Sequence, residues 1–74
     1  MTIYIIILHI EGAVYPAGQY YKSMEEAEDC LKARLIGALS RRYESENLDG
    51  LSLARLLNID PYYWGEVQPV RSAE

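Results

Sequence analysis

Cysteine and histidine occur once each, as Cys30 and His9, phenylalanine is absent, and proline appears three times in 74 residues. A single cysteine excludes an intrachain disulfide, and one histidine beside it excludes an ordinary zinc cluster. No metal and no cofactor is therefore expected. A chain this short buries only about 60% of its unfolded surface. Its core rarely supplies more than about 3–5 kcal/mol, so packing or association must hold it together. Long apolar runs are lacking too. The longest stretch, Ile3 to Ile10, is interrupted by His9 and is far shorter than the roughly 20 residues of a membrane span. No basic segment precedes it, so it reads as a strand and not as a secretory leader. With a lone thiol, the expectation is a cytoplasmic protein that engages no membrane, in the host cytoplasm if the chain is phage-encoded.

Basic residues are the minority, seven against eleven acidic, for a net charge of −4. Phosphate binding is driven by Lys and Arg, so direct nucleic-acid binding is not expected. A protein partner with a basic surface is compatible with this balance, and the same charge also serves solubility.

Half of the residues are apolar, enough for a single domain, placed over residues 1–70 with a loose tail at 71–74. Thr2 to Ile10 forms the first strand. Ile3, Ile5, Ile7 and His9 point to one face; Tyr4, Ile6, Leu8 and Ile10 point to the other. Gly12 marks a bulge or turn, Pro16-Ala17-Gly18 a turn, and Gln19 to Lys22 a short returning strand. Ser23-Met24-Glu25-Glu26 matches a capping box and opens a helix running to about Tyr43. Met24, Ala27, Leu31, Leu35, Ala38 and Leu39 share a stripe about 120° wide. Glu28 and Lys32 are spaced for an i,i+4 pair. Gly50 to Asn58 reads as a second helix ended by Pro61. Tyr62 to Val67 is the third strand, reaching Val70 if it passes Pro69. Neighbouring strands tend to be sequential and the most apolar one central. The fold class expected is therefore α+β, a two-layer ββααβ sandwich with a three-stranded sheet in order 2-1-3 and two helices.

That arrangement poses a question. If both helices lie on one face, either the Ile3 series or the Tyr4 series stays uncovered, and a patch of that kind marks an interaction site. Alternatively, the second helix crosses over and covers it.

Two groups of side chains stand out as candidate partner-binding residues. Tyr62, Tyr63 and Trp64 open the third strand, and Tyr15, Tyr20 and Tyr21 lie in the hairpin. Tyr and Trp keep one polar end and are enriched in interface hot spots, although Tyr is also an ordinary strand residue. Glu25, Glu26, Glu28 and Asp29 put four carboxylates into five residues, over an arc of roughly 160° away from the apolar stripe. Acids in the first helical turns also suit the helix dipole. Ile36 and Tyr43 are expected on the same outer face, with Glu44, Glu46 and Asp49 extending the negative area.

Catalytic chemistry finds no support. His9 and Cys30 would make a Cys–His pair only if the fold joined them, and a free Cys at a core edge usually serves as a small hydrophobe. Glu66 beside Gly65 is the one carboxylate considered as an acid or base, and edge solvation accounts for it. Asp49 to Asp60 resembles the first helix of a helix-turn-helix, but Pro61-Tyr62-Tyr63-Trp64-Gly65 follows where a recognition helix should stand.

At the level of class, the ββααβ order, the tyrosine-rich hairpin, the Ser23-Met24-Glu25-Glu26-Ala27 helix start and the Tyr62-Tyr63-Trp64 segment resemble small acidic proteins of phages and mobile elements, including anti-CRISPR inhibitors. The resemblance implies a non-enzymatic inhibitor that docks on a host nucleic-acid-processing complex of the CRISPR-Cas type through an acidic, Tyr/Trp-rich surface and blocks its DNA-binding site. Imitation of duplex DNA needs an extended carboxylate array, and one cluster followed by Lys32, Arg34, Arg41 and Arg42 offers only a local acidic plug. The alternative is a small structural homodimer or adaptor; the chain is expected as a monomer or a homodimer.

Overall fold

The computed structural model describes residues 2–43 and 47–71. Five elements follow one another: β1 (Thr2–Ile10), β2 (Ala13–Tyr21), α1 (Met24–Ser40), α2 (Leu53–Leu56) and β3 (Tyr63–Arg71). The strands form one antiparallel sheet in the order β2-β1-β3, with the isoleucine-rich strand in the centre. This is the α+β arrangement expected from the sequence, and the direction of β3 is now given.

β1 and β2 are joined by two residues, Glu11 and Gly12, since Ile10 pairs with Ala13. Both loop residues have positive φ, 50° and 86°. That is the geometry of a type I′ turn, whose twist matches the flanking strands. Glu11 tolerates it because its N–H donates to the Tyr62 carbonyl at 2.8 Å and its carboxylate accepts from the Tyr63 hydroxyl at 3.1 Å. The turn expected at Pro16-Ala17-Gly18 is instead an irregularity inside β2, where the register slips between Ile5 and Ile7. β2 is therefore nine residues long and paired in two segments, not a short strand over 19–22. Proline and glycine signalled a break in pairing, and an edge strand absorbs such a break without reversing direction.

α1 opens as the sequence indicates, with Ser23 extended (φ −131°, ψ 149°) and its hydroxyl accepting from the Glu26 N–H at 3.2 Å. Ala27, Leu31, Leu35 and Leu39 form its buried line. Met24, expected in the same stripe, stays exposed at the first turn. The helix ends at Ser40, three residues before the expected Tyr43, because the chain turns there to carry Tyr43 back over the core. α2 is a single turn capped by Ser52, far shorter than the expected 50–58. Leu57, Asn58 and Ile59 continue as hydrogen-bonded turns. Its buried Leu56, with Leu48, completes the core around Ile6 and α1.

α1 packs against all three strands, and α2 packs against α1. β1 faces this layer with Tyr4, Ile6 and Leu8. Opposite Leu8, Gly65 is buried, and a Cβ there would lie 2.5 Å from Leu31 Cδ1 and 3.2 Å from the Ile7 carbonyl oxygen. A glycine at this position lets α1 sit directly on the backbone of β3. Arg71, read from sequence as the start of a tail, is the last residue of β3 and pairs with Thr2. Among the described residues no helix is long and apolar enough to cross a membrane.

Candidate functional site

Alternation along β1 assigns Ile3, Ile5, Ile7 and His9 to the face opposite α1. Cross-strand pairing adds Val70, Gln68, Glu66 and Trp64 from β3, and Tyr20, Pro16 and Val14 from β2. None of these side chains belongs to the core cluster or packs against it. The three isoleucines are half-buried by their neighbours. Around them Val14, Tyr20 (64% exposed), Trp64 (38%) and Val70 (40%) are open to solvent. The first of the two arrangements weighed from sequence therefore holds among the described residues: the helices share one side, and on the other no helix covers the isoleucine series, which only its strand neighbours half-bury.

The polar groups of this face are mutually engaged. His9 and Trp64 are cross-strand partners, and their rings stack with centroids 3.8 Å apart and planes 2° from parallel. His9 Nε2 and Glu66 Oε2 are 3.1 Å apart, and the Gln68 amide donates to the other Glu66 oxygen. The one carboxylate on the face thus has a partner on each oxygen within its own sheet. Glu66 serves as a polar anchor for His9 and Gln68.

The aromatic residues singled out from sequence do not form one surface. Trp64 and Tyr20 lie on the helix-free face. Tyr63 lies on the helix side, packs against the core and carries the Arg42 guanidinium 5.9 Å from its ring centre. Tyr62 is exposed in the turn before β3. Tyr21 packs against the core, and Tyr15 stands exposed at the edge of the helix side.

The carboxylates Glu25, Glu26, Glu28 and Asp29 are exposed on α1, hence on the other side of the molecule from Trp64. Among the described residues the ion pairs within 4.0 Å are His9–Glu66, Arg42–Glu11 and Arg42–Asp60, and none uses these four groups. The spacing that suggested a Glu28–Lys32 pair does not produce one. Ile36 and Tyr43, expected beside the carboxylates on the outer face, are half-buried and pack against the core. The segment containing α2 covers this flank of α1, which a helical wheel of α1 alone does not reveal. Asp49 is exposed; Glu44 and Glu46 lie outside the described residues.

Tyr43 is drawn inward by Asp60, which is buried and accepts from the Tyr43 hydroxyl at 3.0 Å and the Tyr62 N–H at 2.9 Å. The Tyr62 N–H, the Tyr43 hydroxyl and the Arg42 guanidinium hold the Asp60 carboxyl below the ordinary carboxylate range, against the opposing effect of burial. The same hydrogen bond to Asp60 raises the Tyr43 phenol. These residues, with Glu11 and Tyr63, tie the hairpin turn, the end of α1 and the start of β3 together.

Cys30 Sγ lies 2.8 Å from the Tyr21 hydroxyl. That hydrogen bond, aided by Arg34, lowers the thiol below its ordinary value, while it pushes the Tyr21 phenol up. Cys30 is on the helix layer and His9 on the reverse face, so the sheet separates the two members of the imagined Cys–His pair. A cavity of about 600 Å³ between sheet and helix has an apolar floor of Leu8, Ile10 and Tyr63, with Arg34 and Arg41 at its rim. Glu11, which accepts from the Tyr63 hydroxyl, and Tyr15 also line it.

No family model, curated protein or solved structure matches the chain.

The His9–Trp64–Glu66 group escaped the sequence reading. Trp64 and Glu66, two residues apart, belong on one face of a strand, and His9 belongs with Ile7. Only the antiparallel register places one pair beside the other.

Proposed function

We propose that the chain acts by occupying the surface of another protein and catalyses no reaction. In its concrete form it is an inhibitor of a nucleic-acid-processing complex of the CRISPR-Cas type, working in the host cytoplasm. The observation that carries this reading is the group of four exposed carboxylates on α1, none of which forms an ion pair within 4.0 Å among the described residues. Such a group attracts a basic, nucleic-acid-handling surface and speeds encounter with it. Its extent suits a local plug at a DNA-binding site better than imitation of a duplex, whose charges recur every ~1.7 Å of axis. The expected contacts are Glu25, Glu26, Glu28 and Asp29. Ile36 and Tyr43 support the layer from within.

The test is affinity capture from a host lysate, followed by titration of the purified partner. The expected partner is basic and handles nucleic acid. Its affinity falls at least tenfold for Glu25→Lys/Glu28→Lys and declines with added salt. A partner without a basic surface, or an affinity indifferent to charge reversal, overturns the reading.

A further inference from the structure

We propose that the helix-free face of the sheet is closed by a second copy of the same chain, giving a two-fold dimer in which two sheets pack face to face and both α1 helices point outward. The inference is independent of the proposed inhibitor role, since it concerns the reverse side of the molecule.

Charge admits a copy on this face and not on the helix side. The chain carries −4 overall, so two α1 layers would repel each other. The helix-free face carries one carboxylate, Glu66, and both its oxygens already have partners in His9 and Gln68. Burying a carboxylate is costly chiefly when its hydrogen bonds go unmade. Here they are made before association, and the rest of the central surface is Ile3, Ile5, Ile7, Trp64 and Val70. This face is close to neutral and self-complementary, as a two-fold contact requires.

Area agrees with such a contact. Three strands spaced about 4.8 Å apart and nine residues long at about 3.3 Å each offer a face of roughly 14 by 30 Å. Two such faces have a flat area of about 840 Å² together, and the relief of their side chains brings the accessible surface buried to about 1,000 Å², the lower end of a specific interface. Sheets so stacked pack about 10 Å apart with interdigitating side chains.

The sheet edges are poor alternatives. β2 carries Pro16 and a register break, and β3 carries Pro69. Proline and irregular pairing on an edge oppose the addition of another strand. Self-association is thereby directed to the face.

Sedimentation equilibrium of the full chain, from about 5 to 500 µM, tests the proposal. The expected result is a monomer–dimer equilibrium with a dissociation constant in the micromolar range, about that of a small interface. Ile5→Glu at the centre of the face abolishes the dimer. Val70→Glu, at a side chain already open to solvent, weakens it at least tenfold with an unchanged far-ultraviolet spectrum and decides the matter if Ile5→Glu does not fold. Glu25→Lys/Glu28→Lys leaves the dimer intact. A chain that stays monomeric throughout overturns the proposal and leaves the face to a different protein. A dimer that survives Val70→Glu, or one dispersed by charge reversal on α1, overturns it as well. Because the chain alone is measured, the outcome does not depend on the inhibitor reading.

Discussion

Trp64 lies flat against His9 across the β1–β3 pair, ring on ring at 3.8 Å. The stack holds the imidazole so that Nε2 reaches Glu66. Replacing His9 by Ala removes both contacts. The expected cost is about 1–2 kcal/mol, from an aromatic pair of about 0.5–1.5 kcal/mol and a hydrogen bond of about 1 kcal/mol, both reduced by partial exposure. His9→Phe keeps the stack and loses the hydrogen bond, so its urea midpoint falls between those of wild type and His9→Ala.

Acid sensitivity is expected to centre on Asp60. Its folded pKa is held below the unfolded value by the Tyr62 N–H, the Tyr43 hydroxyl and Arg42. A group depressed in this way stabilises the fold fully above its unfolded pKa, about 3.9. That contribution is lost as pH falls through the lower folded value. Urea midpoints measured from pH 7 downward will fall in this window, and Asp60→Asn will be less stable at pH 7 and less pH-dependent below 4.

Cys30 should react faster than an ordinary half-buried thiol. The Tyr21 hydrogen bond lowers its pKa, so more thiolate exists at neutral pH, and the thiolate is the nucleophile. Tyr21→Phe returns the pKa upward and slows iodoacetamide alkylation at pH 7.5, while the two rates converge at high pH. Equal rates at pH 7.5 would show that the phenol does not influence the thiol.

Gly65 and Gly18 separate a required glycine from a dispensable one. A methyl group at Gly65 meets Leu31, Leu8 and the Ile7 carbonyl, whereas one at Gly18 meets nothing within 4 Å. Gly65→Ala should cost about 1–3 kcal/mol by overpacking, and Gly18→Ala should stay within about 0.5 kcal/mol of wild type. Thermal denaturation of the two variants is sufficient to compare them.

The elements governed by side-chain periodicity were legible in the sequence. The alternation of β1, the Ser23 cap and the Ala27–Leu39 line are local patterns, and each appears where the residues place it. The misread features depend on partners distant in sequence. Pro16-Ala17-Gly18 looks like a reversal until β1 is seen running past it. Ile36 and Tyr43 look external until residues 48–60 fold against α1. Tyr63 and Trp64 look like one aromatic patch until the strand sends them to opposite sides.

The missing side chain at Gly65 has a consequence beyond local packing. Leu31 occupies the notch it leaves, and the notch works as a locating pin: α1 can neither slide along nor roll over the sheet without withdrawing it. The azimuth of the helix is thereby indexed to the strands, and with it the direction in which the molecule projects its negative charge. A substitution that filled the notch would re-aim that charge while leaving each carboxylate in place along the chain.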